Sequence, residues 1–212
     1  MAGTTDAQYL IDVWSDYVCP FCYLELPLLQ QLKRELGDRL EITWHPFELR
    51  PDPEPVLDPD GPYLHNVWTD LVYPLAQERG MHLKLPPLQP RSRKAFEAAE
   101  HARVNGRFDA MHEGIFKAFF VDGRDIEDIE VLVDIGADAG LDMDDLKGLL
   151  DAGRYERRIL DAEQEAADIG ITAVPLMVLR KPRWRLSDGR VLRGAVGMED
   201  IRRGLKMLEM NT

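Results

Sequence analysis

Cysteine is scarce in this chain of 212 residues, and both copies stand in one motif, Cys19-Pro20-Phe21-Cys22. That scarcity excludes the disulfide-stapled frameworks of small secreted domains, and a bridge closing so short a loop would constrain the unfolded chain too little to act as a staple. Zinc is poorly provided for. A closed site needs four ligands, and the five histidines, His45, His65, His82, His101 and His112, offer no second pair at ligand spacing, so no metal is expected. Positive charge is short too: 26 Lys and Arg face 38 Asp and Glu, a net charge of −12. That balance argues against a nucleic-acid or membrane partner. Arg154, Arg157 and Arg158 cluster locally, but Glu156 and Asp161 are interleaved with them and the group reads as a solvated helix face. Also missing are an uncharged run of membrane-spanning length, an internal repeat and, across Met1 to Gln8, the basic and apolar regions of a secretory signal. The expected location is cytoplasmic, which suits a chain that spends both thiols on one motif.

What is present begins with Tyr9 to Ser15, a β-rich run that reads as a largely buried strand with one anomaly, Asp12, an acid that is either exposed at an edge or functional. Apolar residues at Leu24, Leu28, Leu29, Leu32 and Leu36 then have helical spacing, with Gly37 as the stop and Pro27 as an expected kink. The cysteines therefore sit where a strand ends and a helix begins. Spacing of three at a helix start puts both sulfurs on one face, and Pro20 suits the first turn because it needs no amide donor. Unsatisfied amides and the positive end of the helix dipole favour a thiolate at Cys19, with Cys22, a turn deeper, as the resolving thiol. In this context the motif reads as a redox dithiol.

Leu40 to Phe47 alternates like a second strand, and Pro46 marks its end or a sheet edge. A Pro- and Asp-rich loop from Pro51 to Pro62 leads into helical segments over His65–Arg79, Ser92–Val104 with Ser92 as cap, Arg107–Val121, Ile129–Ala139 and Met143–Leu150. The stripe of Met111, Ile115, Phe116 and Phe119 is read as helical core. A helix over Tyr155–Ile169 stops at Gly170; Pro175 opens an apolar strand or a special turn; Lys181 to Val191 forms a hairpin turning at Ser187-Asp188-Gly189; and Met198 to Met210 is a closing helix. The order is βαβ, a helical block, then αββα, an α/β fold in one domain with an insertion. The expected parts are residues 1–62, a helical insertion over 63–152, and 153–212.

That order, with the dithiol after the first strand and Val174-Pro175 before a later one, resembles the thioredoxin-like fold and, within it, the DsbA family. Ile11 to Asp16 leading into Cys-Pro-aromatic-Cys-Tyr, then His45-Pro46-Phe47-Glu48-Leu49-Arg50-Pro51, is similar to the FrnE-like branch, as are Phe119 to Ile126 and Ala139 to Asp142. The resemblance covers nearly the whole chain. It implies a mixed central sheet flanked by helices with a large α-helical insertion, and a disulfide oxidoreductase or isomerase of the cytoplasm. It also implies a cis Val174-Pro175 bond packed beside the dithiol, where the Val174 backbone pairs with an extended peptide or glutathione as an added edge strand would. Two departures stand out. Ala173 replaces a common Gly, and the related 2-hydroxychromene-2-carboxylate isomerases and kappa-class glutathione transferases usually carry Ser where this chain has Cys19. After Gly194 no acid appears until Glu199, so the transferase pattern is incomplete.

The expected mechanism is attack by Cys19 on a substrate disulfide and displacement by Cys22. Asp12 and Glu25 are candidate proton acceptors for Cys22, with a solvated helix-face role as the alternative for Glu25. Pro20, Phe21 and Tyr17 are expected at an apolar substrate rim beside Val174 and Pro175, with Trp14 in the core. The substrate is a disulfide-bearing protein or a small thiol; no cofactor is bound tightly, and glutathione serves as thiol co-substrate. The alternative is a glutathione-dependent isomerase or transferase with the insertion as second wall of a small-molecule cleft.

Overall fold

The computed structural model describes residues 7–210. Strand β1 (Tyr9–Ser15) is buried along its length because it lies inside the sheet, parallel to β2 (Leu40–Pro46) on one side and antiparallel to β3 (Leu176–Arg180) on the other. β4 (Arg190–Arg193) completes the order β2-β1-β3-β4. The mixed sheet follows from connection length. Helix α1 (Pro20–Leu36) provides the crossover that parallel β1 and β2 require, whereas β3 and β4 are joined by a local hairpin.

Alternation along β1 sends Ile11 and Val13 to one face, where they meet Leu29 and Leu32 of α1 and Ile201, Leu205 and Leu208 of α9 (Met198–Met210). Trp14 points to the other face, against Leu176, Val178, Ile171 and Ala166 of α8 (Glu156–Asp168). Asp12 shares that second face. β1 is no edge, so the acid is neutralised in place: His45 Nε2 lies 2.9 Å and Arg180 Nε 2.7 Å from its carboxylate, one partner from each neighbouring strand.

Between β2 and α8 the chain is helical: α2 (Pro62–Val67), α3 (Tyr73–Glu78), α4 (Arg93–Val104), α5 (Phe108–Phe120), α6 (Ile129–Asp138) and α7 (Met143–Asp151). The Met and Phe stripe of α5 is core, with Met111, Ile115, Phe116 and Phe119 excluded from solvent, and the same cluster reaches Tyr17, Cys19, Cys22 and Leu26. Helices α6 and α7 pack closely at Gly136, where a methyl group would run into Leu146.

Three local expectations are revised. The helix expected over His65–Arg79 carries a π-helical turn, Trp68–Val72, just before Pro74, whose ring would collide with the carbonyl four residues back in a regular helix. Ser92 occupies the N-cap of α4 without a side-chain cap bond, because its hydroxyl goes to Asp16 instead. The hairpin is shorter in strand than expected: β3 ends at Arg180, a single 3₁₀ turn spans Leu186–Asp188, and β4 starts at Arg190.

Candidate active site

Cys19 is the N-cap of α1, extended at φ −94° and ψ 112°, with Pro20 entering the first turn. Its carbonyl accepts the amides of Cys22 (3.1 Å) and Tyr23 (3.3 Å), and its own amide donates to the Asp16 carbonyl (3.1 Å). Both thiols are unbridged. Cys19 is 4% exposed and Cys22 0%, so a reagent reaches the pair from the Cys19 side. Burial pushes the Cys22 thiol well up, and its hydrogen bond to Cys19 acts in the same direction, with the Ser15 hydroxyl opposing. Cys22 thus keeps its proton more firmly than a free thiol does. The Val174–Pro175 peptide is cis, and the Val174 carbonyl lies 3.8 Å from Cys19 Sγ. Pro175 is buried behind it, its carbonyl accepting the Gly194 amide at 2.9 Å.

Asp16 fastens this loop. Its carboxylate, fully buried, accepts the amides of Val18 (3.3 Å) and Leu49 (2.6 Å) and the Ser92 hydroxyl, joining the dithiol turn to the segment after β2 and to the start of α4. Burial outweighs those donors and holds its pKa up at about 6. Beside it, Arg93 binds Glu48 and approaches Glu163, whose carboxyl burial pushes to about 7.

Over the dithiol opens a cleft of about 280 Å³. Val18, Cys19, Pro20, Phe21 and Val174 form one wall, and Leu57, Tyr63, Leu64, Trp68 and Phe120, from the helical block and its entry loop, form the other. The lining is apolar except for Arg50 and Gln89. Such a cleft accepts an apolar group and presents it to one sulfur.

A family model for the DSBA-like thioredoxin domain matches residues 10–206. The chain belongs to that family. Among curated relatives, the Bacillus subtilis protein YwbO is 34% identical over 175 residues, 80% of this chain and 86% of that one. Solved structures share the fold. A probable DsbA oxidoreductase from Streptomyces coelicolor has a TM-score of 0.77 at 22% identity and covers 96% of this chain and 91% of its own. The cytosolic disulfide reductase DsbM from Pseudomonas aeruginosa gives 0.71 at 22%, covering 96% and 100%. A 2-hydroxychromene-2-carboxylate isomerase gives 0.72 at 18%, covering 95% and 97%.

Within this DSBA-like domain the anticipated site residues divide. Cys19, Pro20, Phe21 and Val174 line one cleft. Tyr17 turns away from it: only 2% exposed, its hydroxyl meets His112 Nδ1 at 2.8 Å and its ring packs on Phe96 and Phe116. Burial, seconded by Arg103, drives His112 down to about 3, so that pair is neutral. Asp12 is taken up by His45 and Arg180; burial alone would raise its pKa, but those two partners bring the net value below the usual range. Glu25 lies one turn beyond Cys22 and is fully buried, not solvated, with Arg79 Nη1 2.9 Å away. Burial pushes Glu25 to about 7 against the pull of Arg79. Asp16, Arg50 and Arg79 are contributors that motif reading passed over; a charged residue between a buried strand and the dithiol was the one available signal, for Asp16.

Proposed function

We propose that the protein is a thiol-disulfide oxidoreductase or isomerase that exchanges disulfides with small-thiol or protein substrates through Cys19 and Cys22. One observation carries the reading: Cys19 lines the cleft while Cys22, fully buried, is sealed behind it. The Cys19 thiolate attacks one sulfur of a substrate disulfide and expels the other as thiolate. Cys22 then gives up its proton, attacks the Cys19 sulfur and expels the second substrate thiolate, so that the substrate gains two electrons and the motif is left as a disulfide. A co-substrate thiol such as glutathione resets the motif, and the same steps run backwards oxidise a dithiol. Val174, next to Cys19, offers its backbone to an incoming chain as a sheet edge would. Of the two candidate acids, Glu25 follows Cys22 by one helical turn and is the one assigned its proton, while Asp12 is held by His45 and Arg180 within the sheet. We place the exchange in the cytoplasm, the compartment in the name of the DsbM relative and one that suits a chain whose cysteines are all reactive.

The test is an equilibrium titration of the two cysteines against glutathione redox buffers, read by alkylation and mass. A reversible loss of both alkylation sites supports the reading. A stable glutathione adduct on Cys19, or no disulfide at any poise, overturns it in favour of a glutathione-dependent isomerase or transferase, the reading that the small-molecule size of the cleft favours second.

A further inference from the structure

We infer that the physiological partner of Cys19 is a small disulfide or thiol bearing a carboxylate, anchored by Arg50; this rests on the dithiol reading above. The chain carries −12 overall, so an anion approaches against a repulsive field, and only a local cation can favour it. The arginines around the cleft are mostly spent. Arg91 is paired with Asp52, and Arg93 with Glu48 and Glu163. Arg50 is different. It lines the same cleft as Cys19, is half-buried, and among the described residues its guanidinium meets no carboxylate; its one hydrogen bond is a long contact of 3.5 Å to the neighbouring Leu49 carbonyl. Its own carbonyl accepts Arg91 Nη1 at 2.9 Å, which fixes the backbone that carries it. A planar fork of donors held at the wall of a cleft whose lining is apolar apart from Arg50 and Gln89 matches a carboxylate bidentately, while Phe21, Tyr63 and Trp68 take the apolar body. The volume, about 280 Å³, is that of a small molecule rather than a folded segment.

The probe is bis(nitrocarboxyphenyl) disulfide, one carboxylate per ring, against its neutral diamide, each mixed in excess with the reduced full-length protein and followed through a single turnover. Each turnover releases two coloured aryl thiolates and leaves the Cys19–Cys22 disulfide. Rates are divided by those of free dithiothreitol, which removes the difference in intrinsic reactivity. The normalised second-order rate constant should favour the acid by roughly 10- to 100-fold, the range for hydrogen bonds to a charged group, and mainly through the probe concentration at half-saturation. Arg50→Leu should bring the ratio to about one, Arg50→Gln likewise as a check against misfolding, and Arg50→Lys should keep part of it. A ratio near one in the parent protein, or one that survives Arg50→Leu and Arg50→Gln, overturns the anchor while leaving dithiol exchange intact. A longer acidic peptide disulfide that outcompetes the aryl acid overturns the small-molecule assignment. Failure to turn over either probe overturns the exchange reading itself.

Discussion

Arg79, at the end of α3, holds three parts of the molecule: it donates to the Leu24 carbonyl at 2.7 Å, to Glu25 Oε1 at 2.9 Å and to the Val196 carbonyl at 2.7 Å. Consider Arg79→Met. Two backbone carbonyls lose a donor, about 1 kcal/mol each. Glu25 loses its counter-charge while fully buried, which would cost ~3–5 kcal/mol if it stayed ionised. It need not stay ionised, because its pKa is about 7 even with Arg79 present and rises further without it. The folded value lies above the unfolded one, so the stabilisation is complete below the unfolded pKa and is lost as pH rises through the folded pKa. In the parent protein that loss levels off just above the folded value of about 7; in the variant it continues at about 1.4 kcal/mol per pH unit. The destabilisation should therefore be about 2 kcal/mol near about pH 6, and about 3.5 kcal/mol near about pH 8. Urea unfolding followed by tryptophan fluorescence at both pH values measures it. Adding Glu25→Gln to the variant should remove the pH dependence. An Arg79→Met penalty that is equal at both pH values would refute the buried-pair argument.

Other outcomes follow from the same geometry. Cys22→Ser should leave Cys19 able to attack but not to be released, so the mixed disulfide accumulates and catalytic turnover falls by at least about 100-fold, seen by intact mass. Asp16, with its folded pKa up at about 6, also makes the folded state lose stability as pH rises through that value, in proportion to the gap from its unfolded pKa. Asp16→Asn should flatten that part of the curve between about pH 4 and about pH 7, at a cost of about 1–2 kcal/mol for the lost acceptor, by thermal or urea unfolding. Asp12 has the opposite sign: its lowered pKa contributes stability that is present above the unfolded value and lost as pH falls through the folded one. Asp12→Asn should cost ~2–4 kcal/mol at neutral pH yet leave mixed-disulfide resolution within about two-fold, since its partners are His45 and Arg180. A large drop in resolution rate would return Asp12 to the proton path.

Patterns that depend on neighbours in sequence were legible. The leucine spacing of α1, the run of β1 and the closing helix Met198–Met210 needed only periodicity and stop residues, and the structure places them at the anticipated bounds or within a residue or two. So was the place of the two cysteines, because a strand and a helix are joined by the motif itself. What could not be read is what depends on partners from far along the chain. Asp12 looked like an edge or catalytic acid because its neutralising groups come from 33 and 168 residues away. Glu25 reads from sequence as a candidate proton acceptor or a solvated helix residue, and the second option fails because Arg79, 54 residues on, brings the charge that allows it inside. Tyr17 is the clearest case. Two residues before Cys19, it reads from sequence as an aromatic of the substrate rim, but a turn between strand and helix sends successive side chains in different directions. His112, 95 residues later, gives its hydroxyl a buried partner at 2.8 Å, a place where an aromatic body and a polar tip are both satisfied. The aromatic side chains that line the cleft with Phe21 are Tyr63, Trp68 and Phe120. The cleft beside Cys19 thus has an apolar lining to which Pro20 and Phe21 contribute and Tyr17 does not.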